Sequence, residues 1–492
     1  MHINPFLLTD GYKTSHHIMY PEGTTLVYSN FTPRSSKYAL PGTDKVVSFG
    51  QQMVVKQLHE IFDLYFFKQP KAQVISEIAA ELTMYLGAEY NVDHIAALHD
   101  LGYLPIVVKA IEEGSLVPFK VPVLTIYNTH KDFYWIPNYL ETIISNMLWK
   151  PLTSATIAYQ YLKVQKAWLE KTDPENIGFL NWQGHDFSMR GMDSVEAAIS
   201  SGLGHATCFM GSDTLPVIYG ARKYYNETGF VVGSVPASEH SVMCAGSKES
   251  EQETFQRLLT LYPAGVLSVV SDTWDLWKVI TVYLPALKEI VLARNGKLVI
   301  RPDSGNPADI VCGLNTNKLD TTEGGESPAD KGVVELLWEV FGGTVNAAGY
   351  KVLDPHIGVI YGDSITLQLA DSICARLAAK GFASSNVVFG IGSFTYTFNT
   401  RDTLGLACKA TFVEINGEQR NIFKNPVTDD GTKKSAKGLI KVMKTETSFT
   451  LIDECTWEEE NTGALQLIYA DGKFSNTTSL TEIRARVAGS FN

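Results

Sequence analysis

The spacing of apolar residues differs between two parts of the chain. Within residues 1–150, strand-like runs at 25–31, 104–110 and 121–126 are mixed with a helical pattern at 74–86. A period of two residues indicates a strand, and a period near 3.6 indicates a helix. This segment therefore predicts an α+β arrangement.

After residue 155, short apolar runs and segments long enough for a helix alternate regularly. A helical pattern at 158–171 leads into seven short apolar runs, each ending in Gly, Ser or charged residues and separated by enough chain for a helix. The runs end within residues 181–191, 208–214, 232–240, 267–275, 298–307, 357–364 and 387–393. Strands that alternate with helices predict βα units. Residues 151–394 are thus expected to form an irregular (β/α) barrel.

In the C-terminal residues 395–492 the sequence pattern differs from that of the predicted barrel. A basic loop at 424–437 is followed by strand-like alternation at 447–452 and 465–469. We expect this segment to pack with residues 1–150 in one α+β domain rather than to extend the barrel. The polar, glycine-containing stretch 314–332 predicts a solvated loop.

Composition narrows the class of protein. The 492 residues are 45% apolar and carry a net charge of -12, which argues against a general surface for nucleic acid or anionic membrane. The six cysteines show no paired spacing, so neither a zinc site nor a disulfide framework is indicated. No basic leader with an apolar stretch opens the chain, and a cytoplasmic protein is expected.

Three carboxylates follow three of the apolar runs. Asp272 ends SVVSD, Asp303 lies in RPDSGNP and Asp363 lies in YGDS. In (β/α) barrels the active site lies at the carboxyl ends of the strands, so these residues should converge. Carboxylates of this kind suit magnesium with a phosphorylated substrate. For each Asp alone a helix cap is the simpler interpretation, and for RPDSGNP a surface ion pair is an alternative; the three together favour function.

Other polar and aromatic residues share these positions. Arg301 suits a phosphate, Phe187 could stack on a flat heteroaromatic ring, and Arg190 could hold a second phosphate. The GIGS segment at 390–393 could present backbone N–H groups to a phosphate. His240 and Asp213 follow two further runs, where a packed histidine and a turn residue are the simpler interpretations.

Seven motifs in order carry a family resemblance. TDGYK at 9–13, HDFSMRG, GSDT, SVPASEHS, SVVSD, RPDSGNP and YGD together resemble the nicotinamide phosphoribosyltransferases, which are type II phosphoribosyltransferases. The match extends from Thr9 to Lys437. The resemblance implies a homodimer with two active sites at the subunit interface.

The resemblance also implies roles for individual residues. Phe187 would stack on one face of nicotinamide and Tyr12 of the partner subunit on the other, while Asp213 would accept a hydrogen bond from the carboxamide. Asp10 and Arg301 would complete the base site, and Asp272 and Asp303 would be catalytic and organise magnesium. Phosphate and ribose would be bound by Arg190, Arg301, Gly362, Asp363, Gly392, Ser393, Arg34, Arg401, Lys409, Lys424 and Lys433.

The implied reaction joins nicotinamide to the ribose of phosphoribosyl pyrophosphate and releases pyrophosphate. ATP would phosphorylate His240 and stimulate this synthesis. The chain departs from the family pattern at Met189, where a tyrosine is expected, and at Ser393, where animal members have glycine. A one-residue insertion leaves Lys433 and Lys434 interchangeable in role.

Three other functions compete with this one. A nicotinic acid phosphoribosyltransferase would share the barrel and the donor, but it should carry a cation or neutral donor in place of Asp213. A phosphosugar lyase or aldolase would want a lysine or a metal cage at a strand end, and no run ends in such a lysine. An extracellular signalling protein is not supported by a signal peptide or by disulfides.

Overall fold

The computed structural model describes residues 3–314, 327–362, 364–424 and 435–491, and these form two compact units. The first unit comprises Met1–Thr156, Tyr219–Gly229 and Asn399–Asn492, and the second comprises Ile157–Ile218 and Phe230–Phe398. The boundaries predicted at 150/151 and 394/395 fall near this division. One segment differs, because Tyr219–Gly229 was assigned to the barrel and belongs to the first unit.

The N-terminal third supplies five strands and five helices within the described residues. The strands are β1 (Thr24–Thr32), β2 (Lys45–Val47), β3 (Ile106–Ile111), β4 (Leu116–Pro118) and β5 (Leu124–Asn128). The helices are α1 (His16–Met19), α2 (Gln51–Phe62), α3 (Lys71–Leu86), α4 (Asp93–Leu101) and α5 (Ile136–Thr172), with a π-helical turn at Asp63–Phe67 and 3-10 turns at Pro5–Leu7, Gly11–Ser15 and Lys131–Phe133.

The middle of the chain alternates short strands with helices. The strands are β6 (Gly184–Asp186), β7 (Gly211–Ser212), β8 (Leu267–Val270), β9 (Leu298–Arg301), β10 (Gly343–Val345), β11 (Lys351–Leu353), β12 (Ile357–Tyr361) and β13 (Val387–Ile391). The helices are α6 (Leu180–Gln183), α7 (Val195–Ala206), α8 (Val217–Tyr225), α9 (His240–Ala245), α10 (Glu251–Leu261), α11 (Leu276–Lys278), α12 (Leu284–Leu292), α13 (Pro307–Cys312), α14 (Pro328–Lys331), α15 (Val333–Phe341), α16 (Leu367–Ala379) and α17 (Ser393–Thr397).

The C-terminal part is mostly strand. It contains β14 (Ala407–Ile415), β15 (Glu418–Asn421), β16 (Leu439–Lys444), β17 (Phe449–Cys455), α18 (Trp457–Glu460), β18 (Leu465–Ala470), β19 (Lys473–Phe474) and α19 (Leu480–Gly489). No helix in the described ranges has both the length and the apolar character that a membrane crossing requires.

The first unit is organised around an antiparallel sheet that joins the two ends of the chain. Its strand order is β15-β14-β1-β5-β3-β18-β19. Phe31 of β1 pairs with Cys408 of β14 on one side and with Leu124 of β5 on the other. All three side chains are buried, as expected for central positions that pack against helices. The predicted packing of the C-terminal segment with the N-terminal one is confirmed.

The second unit contains a parallel sheet in the order β7-β6-β13-β12-β9-β8. Residues 233–238 connect its two edges, since Gly233 bridges Gly211 of β7 and Ala237 bridges Ser268 of β8, both in parallel. The sheet therefore closes into a ring whose members follow the order of the seven predicted runs. The predicted barrel fold is confirmed, and parallel pairing places all carboxyl ends at one mouth.

Two local predictions need correction. The helical pattern at 158–171 is only the second half of α5, which begins at Ile136. The stretch 314–332 is not entirely a loop, because Pro328–Lys331 forms a helical turn in which the Ser327 and Asp330 side chains cap each other's backbone N–H groups. Residues 315–326 lie outside the described part of the chain.

Tyr219–Gly229 belongs to the first unit because its side chains pack against residues of that unit. Tyr225 is fully buried, and its ring stacks on Phe49 with 5.5 Å between centroids. The carbonyl oxygen of Tyr224 accepts hydrogen bonds from Gln52 and Lys56. The sequence pattern of an amphipathic helix does not reveal which of two cores will receive its apolar face.

A buried carboxyl in the first unit leads to a stability prediction. Glu113 is 4% exposed, and its Oε1 accepts a hydrogen bond from the Gln52 backbone N–H. Burial raises its pKa to about 7, against smaller lowering effects from Gln52, Tyr225 and Arg486. A raised pKa stabilises the fold at low pH, and this contribution is lost as pH rises from the unfolded value of 4.5 to about 7.

Glu113→Gln should remove this pH dependence because the amide stays neutral. We expect the free energy of unfolding of the variant, relative to wild type, to rise by about 3 kcal/mol between pH 4.5 and pH 8. Urea unfolding of both proteins at about pH 4.5 and pH 8 measures this difference in the free energy of unfolding. The neighbouring Glu112, whose side chain is 51% exposed, supplies the control Glu112→Gln. Parallel pH curves for wild type and Glu113→Gln would contradict the prediction.

Candidate active site

The polar residues of the barrel meet at the carboxyl ends of its strands. Arg301 lies close enough to Asp303, Asp213 and Asp272 for its pKa to respond to each carboxylate, and to Arg190 as well. These residues follow strands β6 to β9 and are spread over more than a hundred residues of the chain. The convergence predicted from the seven runs is therefore present in the structure.

A cavity of about 300 Å³ opens inside the barrel among these residues. Phe187, His185, Asp213 and Arg301 line it together with aliphatic side chains of β9, β12 and β13. Phe187 follows β6, and its backbone N–H donates to the Ile391 carbonyl of β13 at 3.0 Å. Such an apolar cavity with a few polar groups suits a small flat ligand.

Asp213 is held ionised at the edge of this cavity. Its Oδ1 lies 2.9 Å from Nε2 of His185. Burial acts to raise the pKa of Asp213, but hydrogen bonds from His185 and Ser234 and the charge of Arg301 outweigh it and hold the pKa below its usual value. An ionised carboxylate accepts hydrogen bonds and repels an anionic ligand.

Arg301 is the last residue of β9, and its side chain reaches the closing segment 233–238 of the barrel. Its Nη2 donates to the Ser238 carbonyl oxygen at 2.6 Å. Burial lowers the pKa of Arg301, and the three nearby carboxylates act in the opposite direction. Arginine retains its charge at neutral pH, so it provides a fixed cation at the mouth.

Asp272 and Asp303 form a linked pair of carboxylates. Oδ2 of Asp272 accepts hydrogen bonds from the Asp303 backbone N–H at 2.8 Å and from Ser304 Oγ at 2.6 Å. Its Oδ1 is buried and has no hydrogen-bond partner among the described residues. An orphaned, buried carboxylate oxygen fits a bound cation, so this pair can take part in holding magnesium. No cluster of three carboxylate, histidine or cysteine ligands occurs within the described ranges.

His240 is the first residue of α9 and lies beside Asp303. Its Nε2 is 3.6 Å from Asp303 Oδ2, and its Nδ1 is 3.3 Å from Thr273 Oγ1. About half of the side chain is exposed. An imidazole in contact with a carboxylate and open to solvent is accessible to an incoming phosphoryl group.

Glycines allow close approach of the late strand ends. A Cβ on Gly191 would lie 2.2 Å from Ser393 Oγ, and one on Gly362 would lie 2.6 Å from Asp303 Oδ1. Gly392 is buried and precedes α17, whose first residue is Ser393. Arg190 is exposed in the 3-10 turn Met189–Gly191. The structure thus brings the HDFSMRG, RPDSGNP and GIGS motifs together with Tyr361 and Gly362.

The remaining predicted residues that the structure describes belong to the first unit. Asp10 Oδ2 accepts from Thr142 Oγ1 at 2.8 Å, and Tyr12 is 63% exposed. Arg34 Nε donates to the Gly405 carbonyl oxygen, and Lys409 pairs with Glu141 at 2.9 Å. Arg401 and Lys424 are exposed. Asp363 and Lys433 lie outside the described residues and stay predictions.

The sequence alone assigns no role to three residues that contact predicted site residues or line a cavity with them. Lys120 lines a small cavity with Arg34 and Lys409. Glu141 binds both Lys13 and Lys409, each at 2.9 Å. His185 contacts Asp213. His185 lies inside a recognised motif and could have been found there, whereas Lys120 and Glu141 lie in no such motif.

Comparison with known proteins agrees with this site. Residues 182–462 match the nicotinate phosphoribosyltransferase (NAPRTase) family, and residues 4–106 match the N-terminal domain of nicotinamide phosphoribosyltransferase. The chain is 49% identical to a nicotinamide phosphoribosyltransferase of Acinetobacter baylyi, over 99% of this chain and 97% of that protein. It is 36% identical to one of Mycoplasma pneumoniae, over 89% and 95%.

Solved structures share the fold at low sequence identity. A nicotinate-nucleotide pyrophosphorylase from Pyrococcus furiosus aligns with a TM-score of 0.56 and 15% identity, over 99% of this chain and 95% of that one. Human nicotinic acid phosphoribosyltransferase aligns with a TM-score of 0.55 and 15% identity, over 98% and 93%. Fold and site together define a type II phosphoribosyltransferase, an enzyme of the glycosyltransferase class. Within that class, the chain belongs to the nicotinamide phosphoribosyltransferase family, and the family identified from the sequence is confirmed.

Proposed function

We propose that the protein forms nicotinamide mononucleotide and pyrophosphate from nicotinamide and phosphoribosyl pyrophosphate, as a step of NAD salvage in the cytoplasm. The observation that carries the choice of base is the ionised Asp213 at the edge of the barrel cavity. It accepts a hydrogen bond from a carboxamide NH2 and repels the carboxylate of nicotinic acid. Phe187 stacks on the pyridine ring, and Asp10 and Arg301 complete the base site.

The proposed transfer is a displacement at the anomeric carbon. The pyridine nitrogen attacks as pyrophosphate leaves, through a transition state with oxocarbenium character. Arg190 and Arg301 hold phosphate oxygens, and the carboxylates of Asp272 and Asp303 lie near the developing positive charge on the ribose. Asp272 and Asp303 would hold magnesium directly or through intervening water, and the bound cation would supply positive charge that offsets the charge of the leaving pyrophosphate. Gly362, Asp363, Gly392 and Ser393 bind the ribose and its 5'-phosphate.

A basic rim is proposed to receive the pyrophosphate. It consists of Arg34, Arg401, Lys409, Lys424 and Lys433. The small cavity lined by Arg34, Lys120 and Lys409 supports this role, because three cations around one space attract a polyanion. Such a local cluster reconciles a polyanionic substrate with a chain of net charge -12.

Product analysis tests the reaction directly. Purified protein is incubated with phosphoribosyl pyrophosphate, magnesium and either nicotinamide or nicotinic acid. Nicotinamide mononucleotide as the main product is the expected result. Nicotinic acid mononucleotide as the main product would overturn the assignment of Asp213, and no product from either base would overturn the reaction.

ATP stimulation through a phosphohistidine is proposed for His240. His240→Ala should retain a reduced rate of synthesis and lose its stimulation by ATP, because the phosphoryl acceptor is gone. Initial rates with and without ATP measure the stimulation. His356→Ala is the control, since His356 pairs with Asp354 before β12. Equal stimulation of His240→Ala and wild type would contradict this role.

A homodimer with shared active sites is proposed from the exposed N-terminal segment. Tyr12, Ile18 and Met19 are each more than half exposed, and Gly11 packs directly against the exposed Tyr85. A second copy that covered these apolar side chains would bring Tyr12 of the partner subunit to the free face of the pyridine ring.

Subunit complementation tests this arrangement. Tyr12→Ala and Phe187→Ala should each be weakly active, and refolding them together should recover roughly a quarter of wild-type activity, because half of the dimers contain one intact site. Phe187→Ala mixed with Asp213→Asn is the control and should recover nothing, since both residues belong to the same barrel. No recovery in the first mixture would contradict a shared site.

A further inference from the structure

His185 is held in a defined position at the wall of the barrel cavity. It is the middle residue of β6, where it pairs with Gly211 of β7 and Gly390 of β13. A Cβ on Gly211 would lie 2.7 Å from Nδ1 of His185, so the glycine makes room for the imidazole. Only 12% of the side chain is exposed. The ring therefore has little freedom to rotate.

The imidazole of His185 contacts two residues of the proposed base site, Asp213 and Phe187. Its Nε2 lies 2.9 Å from Asp213 Oδ1, and its ring centroid lies 4.5 Å from that of Phe187 at an angle of 37°. An ionised carboxylate only accepts hydrogen bonds, so the Nε2 atom must carry the proton that is shared. The bond fixes the rotation of the carboxylate about its own axis and engages one of its oxygens.

Asp213 needs such support because its environment opposes its charge. Burial alone acts to raise the pKa of this carboxyl, and His185 supplies the first of the interactions that lower it. A carboxylate that rotated or took up a proton would accept a carboxamide hydrogen less well and would repel a nicotinate anion less. The selection between the two bases then depends on the donor that holds Asp213.

We propose that His185 is a positioning residue that acts through Asp213 to select a carboxamide base over a carboxylate base. This inference rests on the proposed function. His185 itself does not need to touch the reacting atoms, so its effect should fall on the binding of nicotinamide rather than on the rate of the bound complex. A glutamine can place a donor where the Nε2 atom of the histidine lies, and a phenylalanine cannot.

The test compares His185→Phe and His185→Gln with wild type, each alone and combined with Asp213→Asn. We expect His185→Phe to raise the KM for nicotinamide about tenfold or more while kcat changes less than about twofold. The KM for nicotinic acid should stay unchanged or fall, because Asp213 repels the nicotinate anion less, and His185→Gln should recover most of the loss for nicotinamide. In the Asp213→Asn background, His185→Phe should add almost nothing.

Other outcomes would overturn the proposal. Equal losses for both bases, an unchanged KM for nicotinamide, or an undiminished effect in the Asp213→Asn background would each exclude action through Asp213. Calorimetric titration of the full-length variants with nicotinamide provides a measurement that does not require turnover. If wild type formed nicotinic acid mononucleotide instead, the proposed function would fail, and the titration would still decide whether nicotinamide affinity depends on the His185 donor.

Discussion

Asp303→Asn is expected to lower kcat for nicotinamide mononucleotide synthesis about a hundred- to a thousandfold. The change keeps the shape of the side chain and removes its charge. Asp303 lies beside Arg301, His240 and Asp272. Under the proposed function its charge would therefore act on the ribose, on magnesium and on a phosphohistidine at His240. Initial rates at saturating substrates measure kcat.

Asp309→Asn is the matched control for this prediction. Asp309 lies in the first turn of α13, six residues after Asp303, and is already paired with Arg376 of α16 at 2.9 Å. It should change stability slightly and leave kcat near the wild-type value. A loss of less than about fivefold in Asp303→Asn would show that this carboxylate does not act on the transition state.

The second large effect is expected for Asp213→Asn. The amide cannot repel a carboxylate, and its NH2 group competes with the donor that nicotinamide offers. The ratio of kcat/KM for nicotinamide to kcat/KM for nicotinic acid should fall about a hundredfold, because one base loses a charge-assisted hydrogen bond and the other loses a repulsion. Separate assays with each base measure the ratio.

Asp193→Asn controls for the removal of one negative charge from the same unit. Asp193 is exposed in the turn before α7. An unchanged selectivity ratio in Asp213→Asn would remove the argument for nicotinamide that rests on this residue. A lower rate with both bases and an unaltered ratio would lead to the same conclusion.

The barrel could be predicted because its sequence signal is repeated. Each apolar run ends where a polar residue begins, and seven repetitions fix the order of the strands and the position of the mouth. The predicted positions of Asp272 and Arg301 at strand ends are therefore confirmed. The closing segment 233–238 was found as a run, although it pairs only through isolated bridges.

Long-range contacts could not be predicted in the same way. Glu141 of α5 pairs with Lys13 and Lys409, which are far away along the chain on either side. No local pattern records which charges will meet after folding. The same reason explains why Tyr219–Gly229 was assigned to the wrong unit, since its apolar residues fit either core equally well by composition.

In α5 the helix-breaking tendency of a proline is opposed by the burial of the side chains around it. Pro151 lies inside this helix, where it lacks the N–H that an uninterrupted helix would use. The helix nevertheless continues from Ile136 to Thr172, and Leu148 and Leu152 on either side of the proline are fully buried. Burial of these side chains outweighs the lost hydrogen bond, a balance that periodicity alone does not reveal.

The way the barrel closes has a consequence for its motions. Residues 233–238 are joined to β7 and β8 through single bridges, whereas neighbouring strands such as β8 and β9 share four paired residues. Fewer backbone hydrogen bonds mean a lower free energy for local opening. The ring therefore has a seam, and Ser234, Ser238 and His240 lie along or just after it. Opening of this seam would expose His240, and it would also disturb Asp213 and Arg301, which form hydrogen bonds with Ser234 and Ser238.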